Sequence, residues 1–343
     1  MRTLKAFWAC QLALLFSASL VFAQNTESPS KVGTTAAQFL KIGAGARAIG
    51  LGGAFTALAE GIDAIYWNPA GIARVGGLGE ATFNHANWLA ETDYDFAAFS
   101  VNLGDLGTVG FHVISFRVPE QIVRTVQFPQ GTGQVWDANS IALGITFARN
   151  LTDRFSIGIT GKFIRETLFN ENAQGGAFDL GIVYQTPWNN LQIGASITNF
   201  GTKMRLDGRD IFFNEDPLPQ QGPVDQVPSK FRLDAFEIPL NLRFGIAWRA
   251  YKDNNMEITL LADGTHPNDN RESINSGIEV ALKRVIYLRS GYKALFLPNS
   301  EQGLTFGAGL RYDAVGTNVR IDFGWADYGR LNDVKFFSLT IGY

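Results

Sequence analysis

Along the last two thirds of the chain, large apolar side chains alternate with small or polar ones, residue by residue. The clearest segments are 141–148, 240–249 and 319–325. Successive side chains of a β-strand point to opposite faces, so each segment predicts a strand with one apolar wall and one small or polar wall. Beyond the first 23 residues, no apolar stretch reaches the ~20 residues that a membrane-spanning helix needs.

The connections between these segments give a second, independent pattern. We predict about 14 strands, with starts near residues 79, 92, 107, 136, 154, 174, 190, 237, 254, 273, 285, 302, 317 and 334. The connections that lead from an even-numbered strand to the next odd-numbered strand are all short. They lie at 103–106, 150–153, 187–189, 251–253, 283–284 and 313–316. The odd-to-even connections include long tracts rich in Pro, Asn, Asp and Gln, at 117–135, 201–236 and 263–272. Because short periplasmic turns and longer external loops are typical of outer-membrane barrels, the predicted fold class is all-β, a transmembrane antiparallel β-barrel over residues 79–343.

The small or polar wall of the strands decides between a lipid-embedded barrel and a soluble sandwich, which would alternate in the same way. This wall combines glycines with the charged residues Lys162, Asp179, Arg243, Glu279, Arg311, Arg320 and Asp322. Glycine would only weaken a strand whose polar face met bulk water, whereas the mixture suits a polar lumen beside a plug. Since buried charges need partners, we predict a network that anchors the plug, with the individual pairs left open. The alternative is an ion-selective eyelet, which requires an open pore.

The first 23 residues have the pattern of a secretory signal peptide. Arg2 and Lys5 give a basic start, an apolar run follows, and Ala23 is the small residue before the predicted cut. The alternative, a membrane anchor, would need a longer run of ~20 apolar residues. Cleavage would remove Cys10, the only cysteine, so the exported chain would lack a thiol for a disulfide or a metal site.

The charge balance and the predicted barrel limit the cellular location and the binding partners that we expect for this protein. Loss of two basic residues with the signal peptide would move the formal net charge from −3 to −5. A nucleic-acid binder would need a basic stripe, which the sequence lacks, so we expect no nucleic-acid partner. We expect the protein in the bacterial outer membrane.

Catalytic and cofactor sites have little support in the sequence. The three histidines, His85, His112 and His266, have no spacing that supplies a metal pair. Gly43, Gly45 and Ala48 form a G-x-G-x-x-A string, but the strand and helix that give this motif its meaning do not surround it. We therefore expect no enzyme activity, no metal and no cofactor.

A Gly- and Ala-rich tract lies between the signal peptide and the first predicted strand. Its small side chains, in residues 36–55, allow the backbone to pack closely against a wall. An Asn-Pro turn initiator and an Ala-Gly pair follow within residues 63–71. We predict that residues 24–78 form a hatch in the barrel lumen. The residues predicted to shape it are Gly43, Gly45, Gly50, Gly52 and Gly53, with Asn68, Pro69, Ala70 and Gly71 in the turn.

Residues 36–71, with this turn and a barrel directly after it, resemble the PorV/PorQ family, which is itself similar to FadL-type channels for hydrophobic compounds. The resemblance covers the exported chain but is specific only in these residues. It implies a plugged barrel with a part in type IX secretion, in which the barrel accepts secreted cargo proteins at the outer membrane. A FadL-like channel for small hydrophobic compounds is the alternative function, and a plain role in assembly is also open.

The expected partners are outer-membrane lipid, the barrel insertion machinery, and secretion subunits or cargo proteins bound by external loops. The loop tract 201–236 is either a mobile cover or a docking surface for a protein. The chain ends on a strand with an aromatic last residue, which resembles the recognition signal of the insertion machinery. The residues that carry this signal are Phe337, Leu339, Ile341 and Tyr343.

Overall fold

The computed structural model describes residues 31–188, 190–216 and 227–343. The predicted signal peptide, residues 1–23, lies outside the described residues. In the described ranges the chain forms fourteen long antiparallel strands. They are β1 Gly79–Asn87, β2 Asp93–Asn102, β3 Thr108–Ile122, β4 Val135–Thr152, β5 Phe155–Leu168, β6 Glu171–Gln185, β7 Leu191–Gly201, β8 Asn241–Lys252, β9 Met256–Pro267, β10 Ser273–Leu282, β11 Ile286–Leu295, β12 Leu304–Ala314, β13 Thr317–Asp327 and β14 Asp333–Gly342.

The strands close into a barrel. Each strand pairs with its neighbour along the chain, and β1 pairs with β14 from Glu80 opposite Gly342 to Asn87 opposite Lys335. The predicted fold class is confirmed, and every strand begins within four residues of its predicted start. Closure leaves no free edge among the fourteen strands, so most of their backbone polar groups can pair within the wall.

The two faces of the wall differ as the alternation predicts. Each strand exposes at least one large apolar side chain on the outside, for example Phe147, Phe244 and Phe337. An exposed apolar band is unfavourable in water. In membrane barrels this band contacts the lipid acyl chains. None of the helices in the described residues is long and apolar enough to span a membrane.

The two ends of the barrel carry different connections. At one end, here called the short-turn end, no connection between strands exceeds five residues, and both Gly79 and Gly342 lie there. The opposite, loop end carries the long connections 123–134 and 202–240, together with shorter ones. The second of these connections includes a separate hairpin that pairs Phe212–Glu215 with Val227–Lys230.

Two predicted external loops are shorter than expected. β3 continues past Pro119 to Ile122, where it pairs with β4 beyond a register shift that leaves the proline outside the ladder. β9 continues to Pro267, so His266 lies in a strand opposite Leu242 rather than in a turn. Both strands extend because neighbouring strands continue to pair with them.

Residues 36–75, here called the interior segment, lie against the inward faces of the strands. The segment forms two short helices, α1 Ala46–Gly50 and α2 Ala64–Trp67, and the 3-10 turns Gln38–Lys41 and Pro69–Arg74. Every residue from Ile42 to Ile72 except Glu60 is buried. The segment therefore supplies most of the molecule's buried core.

Inward-facing glycines of the wall make room for this segment. A Cβ added at Gly158 would meet the backbone of Pro69, one at Gly181 would meet the side chain of Asn68, and one at Gly307 would meet Gly50. The same holds for further wall glycines, namely Gly194, Gly277, Gly291 and Gly324. The glycines on the polar wall thus mark where the interior segment touches the strands.

Candidate functional site

A buried charge network joins the interior segment to the wall. Arg47 of α1 donates to both carboxylate oxygens of Glu279 in β10, at 2.9 and 2.7 Å. Arg289 in β11 donates to Glu279 at 2.6 Å and to Asp322 in β13 at 2.6 Å. All four side chains are buried, so each charge is both desolvated and paired. Because the chain of contacts begins on α1, it fixes this helix against three strands.

Two further carboxylates of the wall bind backbone N–H groups of the interior segment. Asp263 in β9 accepts hydrogen bonds from the backbone of Phe55 at 2.9 Å and Thr56 at 2.8 Å. Glu80 in β1 accepts one from the backbone of Ile62 at 2.8 Å and one from Arg320 at 3.0 Å. These contacts satisfy donors in the non-helical stretch between the two short helices, where the segment cannot pair them internally.

A separate ion pair lies within the wall itself. Lys162 in β5 contacts Asp179 in β6 at 2.8 Å, and Asp179 also accepts from the backbone of Asn199 at 2.7 Å. Asn199 has φ +63° and lies in a register shift between β6 and β7. The carboxylate therefore satisfies a backbone donor that the bulge removes from the strand ladder.

The structure distributes the predicted lumen charges over several contacts. Lys162 and Asp179 pair with each other, whereas Glu279 and Asp322 share Arg289. Arg320 pairs with Glu80.

The remaining two predicted cations, Arg243 and Arg311, lie apart from these ion pairs. The guanidinium of Arg243 lies 5.2 Å from the centre of the Trp67 ring, and no ion pair to it occurs within the described residues. Arg311 is a correction to the predicted network: it lies near the end of β12 and pairs with Asp313 in the partly exposed rim at 2.9 Å.

Sequence reasoning missed Arg47, Arg289 and Glu80. A signal for the last two was available, because they share the inward register with Gly291 and Thr82 on their own strands. Arg47 gave no such signal, since it lies in a tract interpreted only through its glycines.

The Asn-Pro-Ala-Gly turn docks the segment on β5 and β6. Asn68 donates to the carbonyl oxygens of Thr56 at 2.8 Å and Ile182 at 2.9 Å, and its own oxygen accepts from Ala70 N at 3.2 Å. Pro69 opens the 3-10 turn that Asn68 caps, a position that needs no N–H donor. A Cβ at Gly71 would overlap Ala59 and Ala64. The turn thus combines a cap, a rigid start and a close approach.

The glycines predicted to shape the hatch fall into two groups. Gly43, Gly45, Gly52 and Gly53 have φ between 68° and 104°, a region that residues with a Cβ rarely adopt. Gly50 has ordinary backbone angles but packs directly on the backbone of Gly307.

The three histidines lie far apart in the structure. His112 is buried in the lumen and stacks on Phe96 with ring centres 6.1 Å apart. His85 contacts Asp95 at 2.8 Å on the outer wall, and His266 contacts Glu272 at 2.8 Å at the loop end. The described residues include no cluster of three or more His, Cys, Asp or Glu side chains that could hold a metal ion.

An aromatic cluster lines the lumen between the turn and the loop end. The rings of Trp67 and Tyr66 are 5.1 Å apart, and those of Tyr66 and Phe96 are 6.3 Å apart. A second group surrounds Trp88, whose ring lies 5.1 Å from Tyr328 and 6.0 Å from Phe336. Tyr94 and Tyr328 are buried, and their hydroxyl groups have no hydrogen-bond partner within the described part of the chain. Two such hydroxyls in an apolar environment are unusual and mark a place where a bound molecule or water would satisfy them.

The loop-end start of the interior segment is held by one carboxylate. Asp269 accepts hydrogen bonds from Lys41 at 2.8 and 2.9 Å, from Gln38 at 3.0 Å and from Thr35 at 2.9 Å. Although burial opposes the effect, these donors lower the pKa of Asp269. Arg74 holds the other end of the segment, since it donates to Ser156 at 3.0 Å near the short-turn end. The segment therefore runs the length of the lumen.

A cavity of about 350 Å³ opens beside the interior segment at the short-turn end. Its lining is dominated by charged side chains from the segment and from six strands or their turns. The charged lining residues are Arg47, Glu60, Arg74, Glu80, Glu257, Glu279, Arg284, Arg289, Arg311, Arg320 and Asp322.

Comparison with known proteins agrees with the barrel and identifies its fold type. Residues 16–158 match the model of an uncharacterised protein family, UPF0164. No curated protein matches the chain. Among solved structures, the toluene transporter TodX of Pseudomonas putida is similar with 12% identity and a TM-score of 0.53, over 87% of this chain and 97% of that one.

Two further solved structures are similar to this chain in fold, also at low sequence identity. The toluene transporter TbuX of Ralstonia pickettii has 13% identity and a TM-score of 0.51, over 87% of this chain and 97% of that one. A FadL homologue of Pseudomonas aeruginosa has 12% identity and a TM-score of 0.50, over 86% of this chain and 97% of that one. The chain is thus a closed antiparallel barrel of fourteen strands, and its fold is similar to that of these FadL-like structures.

Proposed function

We propose that this chain is a bacterial outer-membrane protein that takes up a small, largely apolar molecule at its loop end. In this proposal the short-turn end faces the periplasm, in keeping with the usual distribution of turns and loops in such barrels. The likeness to two toluene transporters supports this substrate class at the level of the fold. Fold alone does not determine a substrate, so the proposal depends on the lumen.

The aromatic cluster is the observation that carries the proposal. Tyr66, Phe96 and His112 form a run of stacked or edge-to-face rings, and such rings bind flat apolar molecules well. The unpartnered hydroxyls of Tyr94 and Tyr328 are each available to hydrogen-bond a polar group of a bound molecule. We therefore expect a small aromatic compound with one polar substituent to bind better than a pure hydrocarbon.

Binding of two matched probes to the purified barrel in lipid nanodiscs tests this proposal. Wild-type protein is expected to bind p-cresol about fivefold more tightly than toluene, since a neutral hydrogen bond contributes about 1 kcal/mol. The double variant Tyr94→Phe, Tyr328→Phe should lose that preference while retaining affinity for toluene. Tyr312→Phe, which removes a hydroxyl from the outer wall, is the matched control. Absence of binding of both probes to folded wild-type barrel would overturn the proposal.

A part in type IX secretion is the second candidate function, as the resemblance to the PorV/PorQ family implies. The observation that favours it is the hairpin of Phe212–Glu215 and Val227–Lys230, which pairs outside the barrel sheet. It exposes Phe212 and Phe231 at the loop end, where a secreted protein could dock.

Shortening the connection between Gly208 and Pro228 distinguishes the two functions. If the hairpin docks cargo, the shortened barrel should still insert and still bind p-cresol, but secreted proteins should accumulate in the periplasm. Unchanged surface proteins in the shortened strain would remove the docking hypothesis.

A further inference from the structure

The cavity at the short-turn end, here called the vestibule, differs in chemistry from the aromatic cluster. Its volume of about 350 Å³ lies in the range of small-molecule sites and far exceeds the space of a single ion or water. Arginines and carboxylates alternate around it, so an apolar molecule would gain nothing by entering it. The vestibule is therefore a separate place from the proposed apolar site.

The carboxylates that line the vestibule are all engaged by cations or backbone donors. Glu279 and Asp322 bind Arg289, and Glu279 also binds Arg47. The other pairs are Glu80 with Arg320, and Glu60 and Glu257 with Arg249. No lining carboxylate is thus left to neutralise a further arginine.

Arg74 is a lining cation that neutral groups hold in place. It donates to the hydroxyl of Ser156 at 3.0 Å and to the carbonyl oxygen of Arg154 at 3.3 Å, and it has no ion pair to a carboxylate within the described ranges. Burial lowers the pKa of Arg74, and the charge of Arg249 acts in the same direction, although the charge of Glu60 opposes both. An anion in the vestibule would supply the missing charge.

Arg284 is a second lining cation without an ion pair in the described part of the chain. It lies in the connection between β10 and β11, where Lys283 and Arg284 have φ of 50° and 56°. This left-handed conformation favours Gly or Asn, so an arginine is an unfavourable choice for the turn alone. Its position brings a guanidinium to the mouth of the vestibule.

Arg320 is a third lining cation, and a carboxylate already neutralises it. It pairs with Glu80 through Nη2, but its buried Nε has no hydrogen-bond partner among the described residues. A guanidinium binds phosphate and carboxylate oxygens through two parallel N–H donors. Arg74 and Arg284 therefore present unused donors to the cavity, whereas the buried Nε of Arg320 does not face it.

We propose that the vestibule binds a small anion with phosphate or carboxylate oxygens that enters from the short-turn end. Arg74 and Arg284 supply the charge and the hydrogen-bond donors. The site is independent of the proposed apolar site, because the interior segment separates the two.

Calorimetric titration of the full chain in nanodiscs of zwitterionic lipid tests the proposal. The probes are inorganic pyrophosphate for phosphate oxygens and citrate for carboxylate oxygens. We expect saturable one-site binding of at least one probe that weakens with added salt. Arg74→Gln and Arg284→Asn should each reduce the affinity about tenfold, and Asn keeps the left-handed turn of residue 284 accessible.

Arg149→Gln is the matched control. Arg149 is an exposed residue of β4 near the short-turn end and lies outside the vestibule. Resistance of each variant to unfolding on a gel without heating verifies that the barrel is intact. Lack of saturable binding of both probes, or an equal effect of the Arg149 variant, would overturn the anion site. Binding of p-cresol should be unchanged in all three variants, so failure of this site and failure of the proposed apolar site are distinguishable.

Discussion

Asp63 is a carboxyl group that the interior segment buries almost completely, with no hydrogen-bond partner for Oδ1 within the described residues. Burial raises the pKa of Asp63 from its ordinary value of 3.8, although the charge of Arg320 acts in the opposite direction. Below pH 3.8 the folded and the unfolded chain both carry the proton, and Asp63 does not affect stability. Above that pH the unfolded chain ionises first, so the free energy of unfolding falls until the folded group also ionises.

Asp63→Asn should therefore stabilise the protein at neutral pH. The amide has a similar shape but cannot ionise, so the variant lacks the loss of stability that the raised pKa of Asp63 causes above pH 3.8. Urea unfolding of barrels refolded into lipid vesicles measures the effect at pH 7 and at pH 3.5. We expect a higher unfolding free energy for the variant at pH 7 and a smaller difference at pH 3.5. A variant less stable than wild type at pH 7 would contradict this view of Asp63.

At the scale of elements, the glycines of the wall determine where the interior segment docks. Gly181 of β6 faces the lumen, and a Cβ there would overlap Asn68 and Pro69. Gly181→Ala should cost about 1–3 kcal/mol, as overpacking of a tight contact usually does. Gly161→Ala is the control, because that glycine faces outward and its nearest neighbour is the Phe178 ring at 3.8 Å. Equal stability of the two variants in urea unfolding would show that the turn does not need this close approach.

The charge network makes a second prediction at this scale. Glu279→Gln leaves the buried cations Arg47 and Arg289 without their shared carboxylate. Breaking a buried ion pair from one side costs about 3–5 kcal/mol, and the loss should loosen α1 first. Hydrogen exchange of Ala46–Gly50 should speed up, while the strands remain protected. Glu272→Gln, which removes an exposed carboxylate at the loop end, should leave exchange unchanged.

The alternation of side chains made the strands predictable because lipid and lumen impose opposite demands on the two faces. The ends of β3 and β9 were less predictable. Beyond Val118 and Asp263, pairing with neighbouring strands keeps these strands extended. The faces of residues such as Glu279 could be read from the sequence, whereas the ends of projecting hairpins could not.

The ion pairs were beyond sequence reasoning for a different reason. Arg289 meets Glu279 on the adjacent strand but also Asp322 two strands away. Which inward residues reach the same height depends on the tilt and stagger of all strands, a property of the closed barrel. The third partner, Arg47, lies in the interior segment. The alternation pattern of the strands does not predict the path of this segment through the lumen.

At the scale of the whole molecule, the last residue adds contacts to the seam that closes the barrel. The carbonyl oxygen of Tyr343 accepts from Leu78 N at 2.7 Å, and its backbone N–H donates to Gly79 at 3.0 Å. Its hydroxyl donates to the carbonyl oxygen of Ser100 in β2 at 3.0 Å. The end of the chain thus fastens the seam between β14 and β1 at the short-turn end, where the interior segment passes into β1.

Tyr343→Ser separates the contribution of this seam to stability from recognition by the insertion machinery. The backbone contacts remain, so the refolded variant should lose only about 1 kcal/mol with the hydroxyl hydrogen bond. If the terminal aromatic is also a recognition signal, the folded fraction in outer membranes should fall much further than that loss explains. Tyr312→Ser removes an exposed outer-wall tyrosine from the same end of the barrel and is the matched control. An equal fall in both variants on gels run without heating would assign the effect to the aromatic surface of the barrel and not to its terminal residue.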